Sequence, residues 1–382
     1  MRLPRHKRSP QPSDPRPFPG GVAGPLVAWF RKSRRDLPWR RPASGRGPRR
    51  DPYRVWVSEI MLQQTTVKAV VPYFERFLEA FPTIEALARA RSEKVLAAWS
   101  GLGYYRRARH LHEAARLVAR RHAGFLPRDR EALLELPGIG RYTAGAILSM
   151  AWGDPEPLVD GNVARVVCRL LGERRDPALK EVSDRLWRTA GELVAATKAP
   201  GDLNEALMEL GATVCTPVSP ACDACPVRRG CLAREAGVQE TIPPPRLRRK
   251  PVLLRRRLAI VERGGRYLVR RRGTTGLMDG LWEFPELTPG GSRGSRAGAE
   301  GPSLRAIERL GAVRHLVTFR TIDVAVHRAR LEGETPKGWR WVTREGLRRL
   351  PASSLLGKAL ALEDKAARPK EKGSRSMAAA GL

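Results

Sequence analysis

Four of the five cysteines in this chain lie close together, at Cys215, Cys222, Cys225 and Cys231. Clustered thiolates can converge on one metal centre, and soft sulfur ligands favour zinc or an iron-sulfur cluster over hard cations. A disulfide framework is the alternative, but the chain is far longer than a small stapled domain and Cys168 lies alone in an apolar run. The spacing therefore predicts a metal centre. Zinc remains possible, although zinc sites usually contain two close pairs and only one is present.

Two acidic residues lie where a carboxyl group could take part in chemistry. Glu59 has Val55 and Trp56 as helical neighbours, and such an apolar face raises a carboxyl pKa, as a general acid requires. Asp160 precedes an apolar-periodic helix, which it can cap, and a carboxylate that receives backbone N-H bonds stays ionised. Both residues also have structural interpretations: Glu59 could pair with an arginine, and Asp160 could be an ordinary helix cap.

Gly138 and Gly140 lie one residue apart, directly before another helical segment. Unobstructed backbone amides at a helix N-terminus can bind phosphate, although a tight turn between helices would show the same pattern. The chain contains 71 Lys and Arg residues against 39 Asp and Glu, giving a net charge of +32. Such an excess attracts polyanions without reading their sequence, so nucleic acid is the predicted partner.

The segments that contain these residues resemble the MutY and endonuclease III families of DNA glycosylases. The matching segments are SEIMLQQT at Glu59, LPGIGRYTAG at the paired glycines, VDGNVARV at Asp160, and the cysteine spacing. The resemblance implies a helix-hairpin-helix motif that grips one DNA strand and a 4Fe-4S cluster held by the four cysteines. It also implies that Glu59 protonates an adenine while ionised Asp160 stabilises the resulting cation, with Asn162 near the reaction centre.

Tyr142 distinguishes between the two families. The endonuclease III type has a lysine at this position, and its amine attacks the sugar and leads to strand cleavage. Tyr142 has no amine but can hydrogen-bond and orient Glu59, which resembles the monofunctional adenine glycosylases. Two alternatives are kept: a bifunctional endonuclease III-like glycosylase and lyase, and a non-catalytic DNA-binding protein whose cluster senses redox state.

A base must leave the duplex before a buried acid can reach it. By resemblance, Gln64 fills the gap in the duplex and Tyr104 wedges beside the opposing base. The adenine pocket is implied to be lined by Trp39, Arg40 and Glu209. Tyr104 and Trp39 could equally be core residues.

Periodicity divides the chain into two predicted domains. Helical spacing at 66–80, 84–99, 108–122 and 182–197 predicts a mainly α domain that includes the cluster loop. The β-branched runs 258–261, 266–269 and 322–326 predict an α+β domain after a proline-rich linker. The predicted boundaries are a disordered basic arm 1–21, the helical domain 22–237 with cluster loop 215–231, the linker 238–251, the α+β domain 252–363, and a disordered tail 364–382.

The second domain resembles the MutT-like (Nudix) domain with which MutY enzymes inspect 8-oxoguanine, most clearly over Gly280–Pro285. Residues 286–312 contain no REXXEE motif, so no pyrophosphohydrolase activity is expected. The family has Phe-Ser-His where this chain has Val317-Thr318-Phe319. Thr318 can supply the hydroxyl, but loss of the histidine predicts weaker discrimination or a contribution from other residues such as His315.

The resemblance as a whole predicts a monomeric base-excision repair enzyme that acts on double-stranded DNA and removes adenine mispaired with 8-oxoguanine or guanine. The chain has no apolar run of the roughly twenty residues needed to span a bilayer, so no membrane partner is predicted. The expected localisation is cytoplasmic, associated with the nucleoid if the source is a bacterium.

Overall fold

The computed structural model describes residues 21–43, 48–245, 251–273, 279–287, 301–317 and 319–367. The chain divides into two compact units. The first comprises Met1–Arg89 and His110–Leu247, and the second comprises Ala90–Arg109 and Arg248–Leu382. The prediction of one continuous domain over 22–237 is thus corrected for residues 90–109, which belong with the C-terminal unit. Their partners there are distant in sequence, so periodicity could not reveal them.

Helices dominate the first unit, as predicted. Along the chain the helices are α1 Ala23–Ser33, α2 Pro52–Leu62, α3 Val67–Ala80, α4 Ile84–Arg89, α5 Ser92–Ala98, α6 Arg106–Arg121, α7 Arg130–Leu134, α8 Arg141–Ile147, α9 Gly161–Leu171, α10 Lys180–Ala195, α11 Pro200–Thr213, α12 Leu232–Glu235, α13 Arg344–Arg349 and α14 Ser354–Ala367. Of these helices, α5, α13 and α14 belong to the second unit, and α6 begins in it. The predicted segment 84–99 forms two helices, α4 and α5. A π-helical turn, Leu148–Trp152, continues α8.

Side-chain caps fix the starts of the helices that matter for the site. Asp51 accepts a hydrogen bond from the backbone N-H of Tyr53 and precedes Pro52, the first residue of α2. Asp160 accepts from the backbone N-H of Val163 and so begins α9. Each cap satisfies an amide that the helix itself leaves unpaired. The starts of α2 and α9 are therefore set locally by sequence.

The second unit contains two small sheets. Its strands are β1 Val252–Ile260, β2 Glu262–Arg263, β3 Arg266–Arg271, β4 Trp282–Glu283, β5 Ser303–Val317, β6 Arg320–Glu332 and β7 Trp339–Thr343. In one sheet β6 lies between β1, which is parallel to it, and the antiparallel β5; in the other, β3 pairs with β2, β4 and β7. The three predicted β-branched runs fall on or beside β1, β3 and β6. A buried cluster that includes Trp282, Phe284 and Leu356 packs β4 and α14 against the first sheet.

Two predicted boundaries need correction. Helix α14 continues to Ala367, so the tail does not begin at residue 364; Glu363 is buried and accepts a hydrogen bond from Tyr267, which ties down the last turns of the helix. The predicted linker 238–251 also begins too early, because Ile242 is buried and its carbonyl accepts a hydrogen bond from Arg169. Among the described residues, no helix combines the length and apolar character needed to cross a membrane.

Candidate active site

Glu59 lies in the middle of α2 with only 3% of its surface exposed. Val55, Trp56 and Ile60 on the same helix are also buried. Loss of water is the largest influence on this carboxyl group and raises its pKa to about 7, with a further increase from the nearby charge of Asp160. The predicted elevation of the Glu59 pKa is therefore confirmed. Near neutral pH a substantial fraction of Glu59 is protonated and can act as an acid.

Tyr142, in the first turn of α8, contacts this acid directly. Its hydroxyl group donates a hydrogen bond of 2.5 Å to Glu59 Oε2. Burial and the neighbouring carboxyl groups of Glu59 and Asp160 raise the pKa of Tyr142 well above its ordinary value, so the phenol keeps its proton. The hydrogen bond predicted between these two side chains is present. It fixes the orientation of the carboxyl group and partly opposes the rise in its pKa.

Asp160 is fixed at the N-terminus of α9 by two hydrogen bonds. Its Oδ1 accepts from the Val163 backbone N-H at 2.7 Å, and its Oδ2 accepts from the Asn162 side-chain amide at 3.0 Å. Burial nevertheless has the largest effect and raises the pKa of Asp160, although these bonds and Arg165 act in the opposite direction. The cap predicted from the sequence is present, and burial opposes the ionisation that these hydrogen bonds favour.

Asn162 links Asp160 to the cysteine loop. Its carbonyl oxygen accepts a hydrogen bond of 2.8 Å from Arg165, whose Nε donates to the backbone carbonyl of Cys215 at 2.8 Å. Helix α11 passes so close that a Cβ on Gly211 would lie 2.6 Å from the Cβ of Asn162. The position of Asn162 is thus set by hydrogen bonds on one side and a glycine contact on the other.

The predicted adenine-pocket residues are held by an ion-pair network on α11. Arg40 donates to Glu205 at 2.8 Å and to Glu209 at 2.9 Å, and Arg35 donates to Glu209 at 2.6 Å. Burial would raise the pKa of Glu209, but Arg35 and Arg40 outweigh it and lower that pKa. Trp39 is buried and packs edge-on against Phe74, with ring centroids 5.4 Å apart, so it does have a core contact.

Glu205 is a residue that the sequence interpretation missed. It lies one turn before Glu209 on α11 and forms a second ion pair, of 2.6 Å, with Arg50. The charge of Glu205 helps to raise the pKa of Glu59. The role of Glu209 in the adenine pocket stays a prediction. The spacing of four residues between the two glutamates was the available indication, because it places both on one helical face.

The hairpin between α7 and α8 presents exposed backbone at Gly138 and Gly140. Gly138 has a φ of 81°, and a Cβ at this position would lie 2.8 Å from the Cβ of His110, so the turn requires glycine. Gly140 caps α8, and the guanidinium of the next residue, Arg141, lies 3.9 Å from the ring centre of Trp187. Free amides and a fixed cation at one turn are suited to contact with a phosphate.

The two residues predicted to enter the duplex share an uncommon backbone conformation. Gln64 follows α2 with a φ of 57°, and Tyr104, in the second unit, has a φ of 48°. Both side chains are exposed, and 42% of the surface of Tyr104 is accessible. An exposed tyrosine in the left-handed region is not a core residue, so the structure decides against that alternative for Tyr104.

The four clustered cysteines border a single cavity together with Arg169. Arg169 donates a hydrogen bond of 3.2 Å to the sulfur of Cys215 and another to the Thr216 carbonyl. Among the described residues, no three Cys, His, Asp or Glu side chains converge closely enough to hold one metal ion. Four thiols around one cavity are a donor set that an iron-sulfur cluster or zinc could use.

Thr318 and His315 are the residues that the sequence suggested for reading the lesion. Thr318 lies outside the described residues. His315 on β5 is buried, with 8% of its surface exposed, and its Nδ1 lies 3.5 Å from the hydroxyl of Ser354. Burial, aided by the charge of Lys358, lowers the pKa of His315. His315 is thus directed at α14, and its contribution to reading the lesion stays a prediction.

Comparisons with known proteins agree for both units. Residues 57–192 match the family model described as HhH-GPD superfamily base excision DNA repair protein, and residues 257–362 match that of the NUDIX domain. The fold class predicted from sequence, a helix-hairpin-helix glycosylase domain followed by an α+β NUDIX-like domain, is thereby confirmed.

Whole-chain relatives extend this agreement. The adenine DNA glycosylase of Homo sapiens is 37% identical over 396 residues, covering 88% of this chain and 72% of the relative. That of Rattus norvegicus is 37% identical over 410 residues, covering 92% and 79%. A solved structure of a thermostable thymine-DNA glycosylase aligns with 56% of this chain and 95% of its own at 31% identity, with a TM-score of 0.49. Because the similarity spans both units and most of the length of named relatives, the chain belongs to the adenine DNA glycosylase family of base-excision repair enzymes.

Proposed function

We propose that this DNA N-glycosylase removes adenine mispaired with 8-oxoguanine or guanine in double-stranded DNA, and that it does so without cutting the strand. The observation that carries the proposal is the 2.5 Å hydrogen bond from Tyr142 to a buried Glu59. A carboxylic acid with a pKa of about 7 can hold a proton at neutral pH and release it to a purine in a closed site.

The reaction we infer breaks the bond between adenine and its sugar. Glu59 donates its proton to the flipped adenine, which leaves with the bonding electron pair. The sugar becomes a cation, which the carboxylate of Asp160 stabilises from its fixed place at the start of α9. Water then adds to the sugar carbon and releases a proton, and the abasic strand remains intact.

Tyr142 supports the monofunctional assignment. A lyase step needs an amine that can form a covalent bond with the sugar, and this position offers a phenol. The phenol donates its hydrogen to Glu59 and has a raised pKa, so it is a weak nucleophile near neutral pH. These properties favour simple hydrolysis over an endonuclease III-like reaction. The paired acids Glu59 and Asp160 likewise argue against a protein that only binds DNA.

We propose that Cys215, Cys222, Cys225 and Cys231 hold a 4Fe-4S cluster. Their shared cavity, and the resemblance of their spacing to the cluster loop of the glycosylase families, support this choice over zinc. When bound, such a cluster supplies a rigid, multiply anchored centre for its loop and can in principle exchange one electron. Arg165 and Arg169 already bind this loop through its backbone and through the Cys215 sulfur.

We further propose that the NUDIX-like unit inspects the base opposite adenine and does not hydrolyse nucleotides, since residues 286–312 contain no REXXEE motif. Glu59, Tyr142 and Asp160 all come from one chain, which supports action as a monomer. Because the substrate is DNA, we place the protein in the compartment that contains the DNA, which is the cytoplasm in a bacterium.

The test is adenine release from duplexes that carry adenine opposite 8-oxoguanine, guanine or thymine, with and without alkali treatment. We expect release from the first two, with strand breaks mainly after alkali. Glu59→Gln should reduce excision by about a thousandfold while mispair binding persists, because general acid catalysis is lost but the surface is unchanged. The matched control is Glu79→Gln, which alters an exposed glutamate on α3. Release of adenine by Glu59→Gln at the wild-type rate would refute this mechanism, and efficient cleavage without alkali would favour the bifunctional alternative.

A further inference from the structure

The loop that presents Tyr104 is held in a strained backbone conformation. Gly101, Gly103 and Tyr104 have φ values of 105°, 74° and 48°. Glycine accepts such angles readily, whereas tyrosine does so only where the surroundings enforce them. Forces outside the local backbone must therefore keep Tyr104 in its exposed position.

One set of restraints comes from within the loop. Trp99 Nε1 donates to the Gly103 carbonyl at 3.1 Å, and Arg107 donates to the same carbonyl at 3.3 Å. The Arg107 guanidinium also lies 5.4 Å from the ring centre of Tyr104 and 5.5 Å from that of Trp99. These contacts hold the tyrosine ring relative to its own loop. They do not connect the loop to any other part of the chain.

A second set of restraints attaches the loop to a distant segment of the same unit. The Tyr105 hydroxyl donates to the backbone carbonyl of Ala352 at 2.8 Å, and the Ser100 hydroxyl donates to that carbonyl at 2.9 Å. The Gly101 backbone N-H in turn donates to the Tyr105 hydroxyl at 3.2 Å. Two side chains that flank the strained turn are therefore bound to one oxygen atom.

Ala352 lies beside the elements that carry the β5–β6 hairpin. It forms a parallel bridge with Trp282 in the core, and Ser354, two residues later, begins α14. The Ser354 hydroxyl lies 3.5 Å from Nδ1 of the buried His315, which lies on β5 of the hairpin, three residues before Thr318 in the sequence. Side chains and backbone in contact thus lead from the hairpin to the Ala352 carbonyl and on to the loop.

We propose that this carbonyl couples the β5–β6 hairpin to Tyr104, and that Ser100 and Tyr105 are positioning residues for discrimination of the base opposite adenine. The inference rests on the proposed function. Because both hydroxyl groups bind one oxygen, any displacement of segment 351–354 reaches both sides of the strained turn together. When the base opposite adenine fits against the hairpin, the resulting displacement is transmitted to Tyr104, which wedges beside that base. Discrimination between 8-oxoguanine and guanine then depends on both segments together.

The experiment compares the wild type with a variant that combines Ser100→Ala and Tyr105→Phe. Single-turnover adenine excision is measured opposite 8-oxoguanine and opposite guanine. The ratio of the two rates should fall about three- to tenfold, as expected for the loss of two neutral hydrogen bonds. A matched control, Ser33→Ala with Tyr73→Phe, removes the same atoms from the first unit and should leave the ratio unchanged. Circular dichroism and thermal melting establish that each variant is folded.

A second comparison separates positioning from general destabilisation. In a Tyr104→Ala background, the Ser100→Ala and Tyr105→Phe changes should lower the ratio no further, because the residue they position is absent. Ser100→Thr, which keeps a hydroxyl, should retain more of the ratio than Ser100→Ala does when each change is made alone in the wild-type background. An equal fall with and without Tyr104 would overturn the inference. Wild-type excision with an unchanged ratio in the double variant would also overturn it while leaving the proposed function intact, and a wild type that releases no adenine would overturn both.

Discussion

The surroundings of Glu59 and Glu209 differ sharply although both side chains are nearly inaccessible, with 3% and 1% of their surfaces exposed. Glu59 on α2 has mainly apolar neighbours and one neutral hydrogen-bond donor, and its pKa is raised to about 7. Glu209 on α11 receives guanidinium groups from Arg35 and Arg40, and its pKa is lowered. Burial alone therefore does not make an acid catalytic. Among the described residues no cation forms an ion pair with Glu59, and this difference from Glu209 keeps Glu59 able to hold a proton.

The largest stability effect in this comparison is expected at Glu209. Glu209→Gln would leave buried Arg40 without one of its partners, and breaking such a pair should lower the free energy of unfolding by about 3 kcal/mol or more. Because the pKa of Glu209 is lowered by folding, its stabilising contribution is present above the unfolded value and is lost as pH falls. The deficit of the variant, measured by urea unfolding, should thus shrink on acidification. Glu113→Gln, at an exposed position on α6, is the control.

The opposite dependence of stability on pH is expected at Glu59. Its pKa in the folded protein is above the ordinary value of 4.5, so the protonated form favours folding below that value and this advantage disappears as pH rises through about 7. Glu59→Gln should remove this pH dependence of the free energy of unfolding, which amounts to roughly 3 kcal/mol between pH 4.5 and about pH 7. Unfolding measured between pH 4 and pH 8 should show a flatter profile for the variant. Parallel profiles for the two proteins would contradict the elevated pKa.

A smaller effect is expected from Tyr142→Phe. The hydroxyl group lowers the pKa of Glu59, so its removal should raise that pKa further. In the proposed mechanism excision requires protonated Glu59, so the fall in the excision rate on the alkaline side should move to higher pH in the variant. Single-turnover rates from pH 6 to pH 9 would measure this shift, together with a fall in the maximal rate of about tenfold from the loss of orientation. A profile that moves to lower pH would show that the hydrogen bond acts in the other direction.

The sequence predicted those features of the site that depend on local spacing. The helical neighbours of Glu59 indicated its burial, and the position of Asp160 before an apolar helix indicated its role as a cap. The influence of Glu205 on Glu59 could not be predicted in this way. Glu205 and Glu209 face the same side of α11, and the effect of Glu205 depends on how α11 packs in the folded unit.

Local sequence patterns also predicted the fold only in part. Strands β1, β3 and β6 and helices such as α3, α6 and α10 followed from periodicity, but β5 and β7 did not, nor did the membership of residues 90–109 in the second unit. That membership rests on contacts such as the one between Tyr105 and Ala352, which are 247 residues apart in the chain. No local pattern encodes a partner at such a distance. The break between α4 and α5 was also missed, because apolar residues continue with helical spacing on both sides of it.

Gly211 has a consequence for how inherited or engineered variants of this chain are judged. The residue touches no predicted substrate and carries no functional group, yet any side chain on it would overlap Asn162, the hydrogen-bond partner of Asp160. A conservative change to alanine would therefore displace Asn162 and disturb the candidate active site. Classifications that weigh only chemical similarity or distance from the catalytic acid would score such a change as harmless.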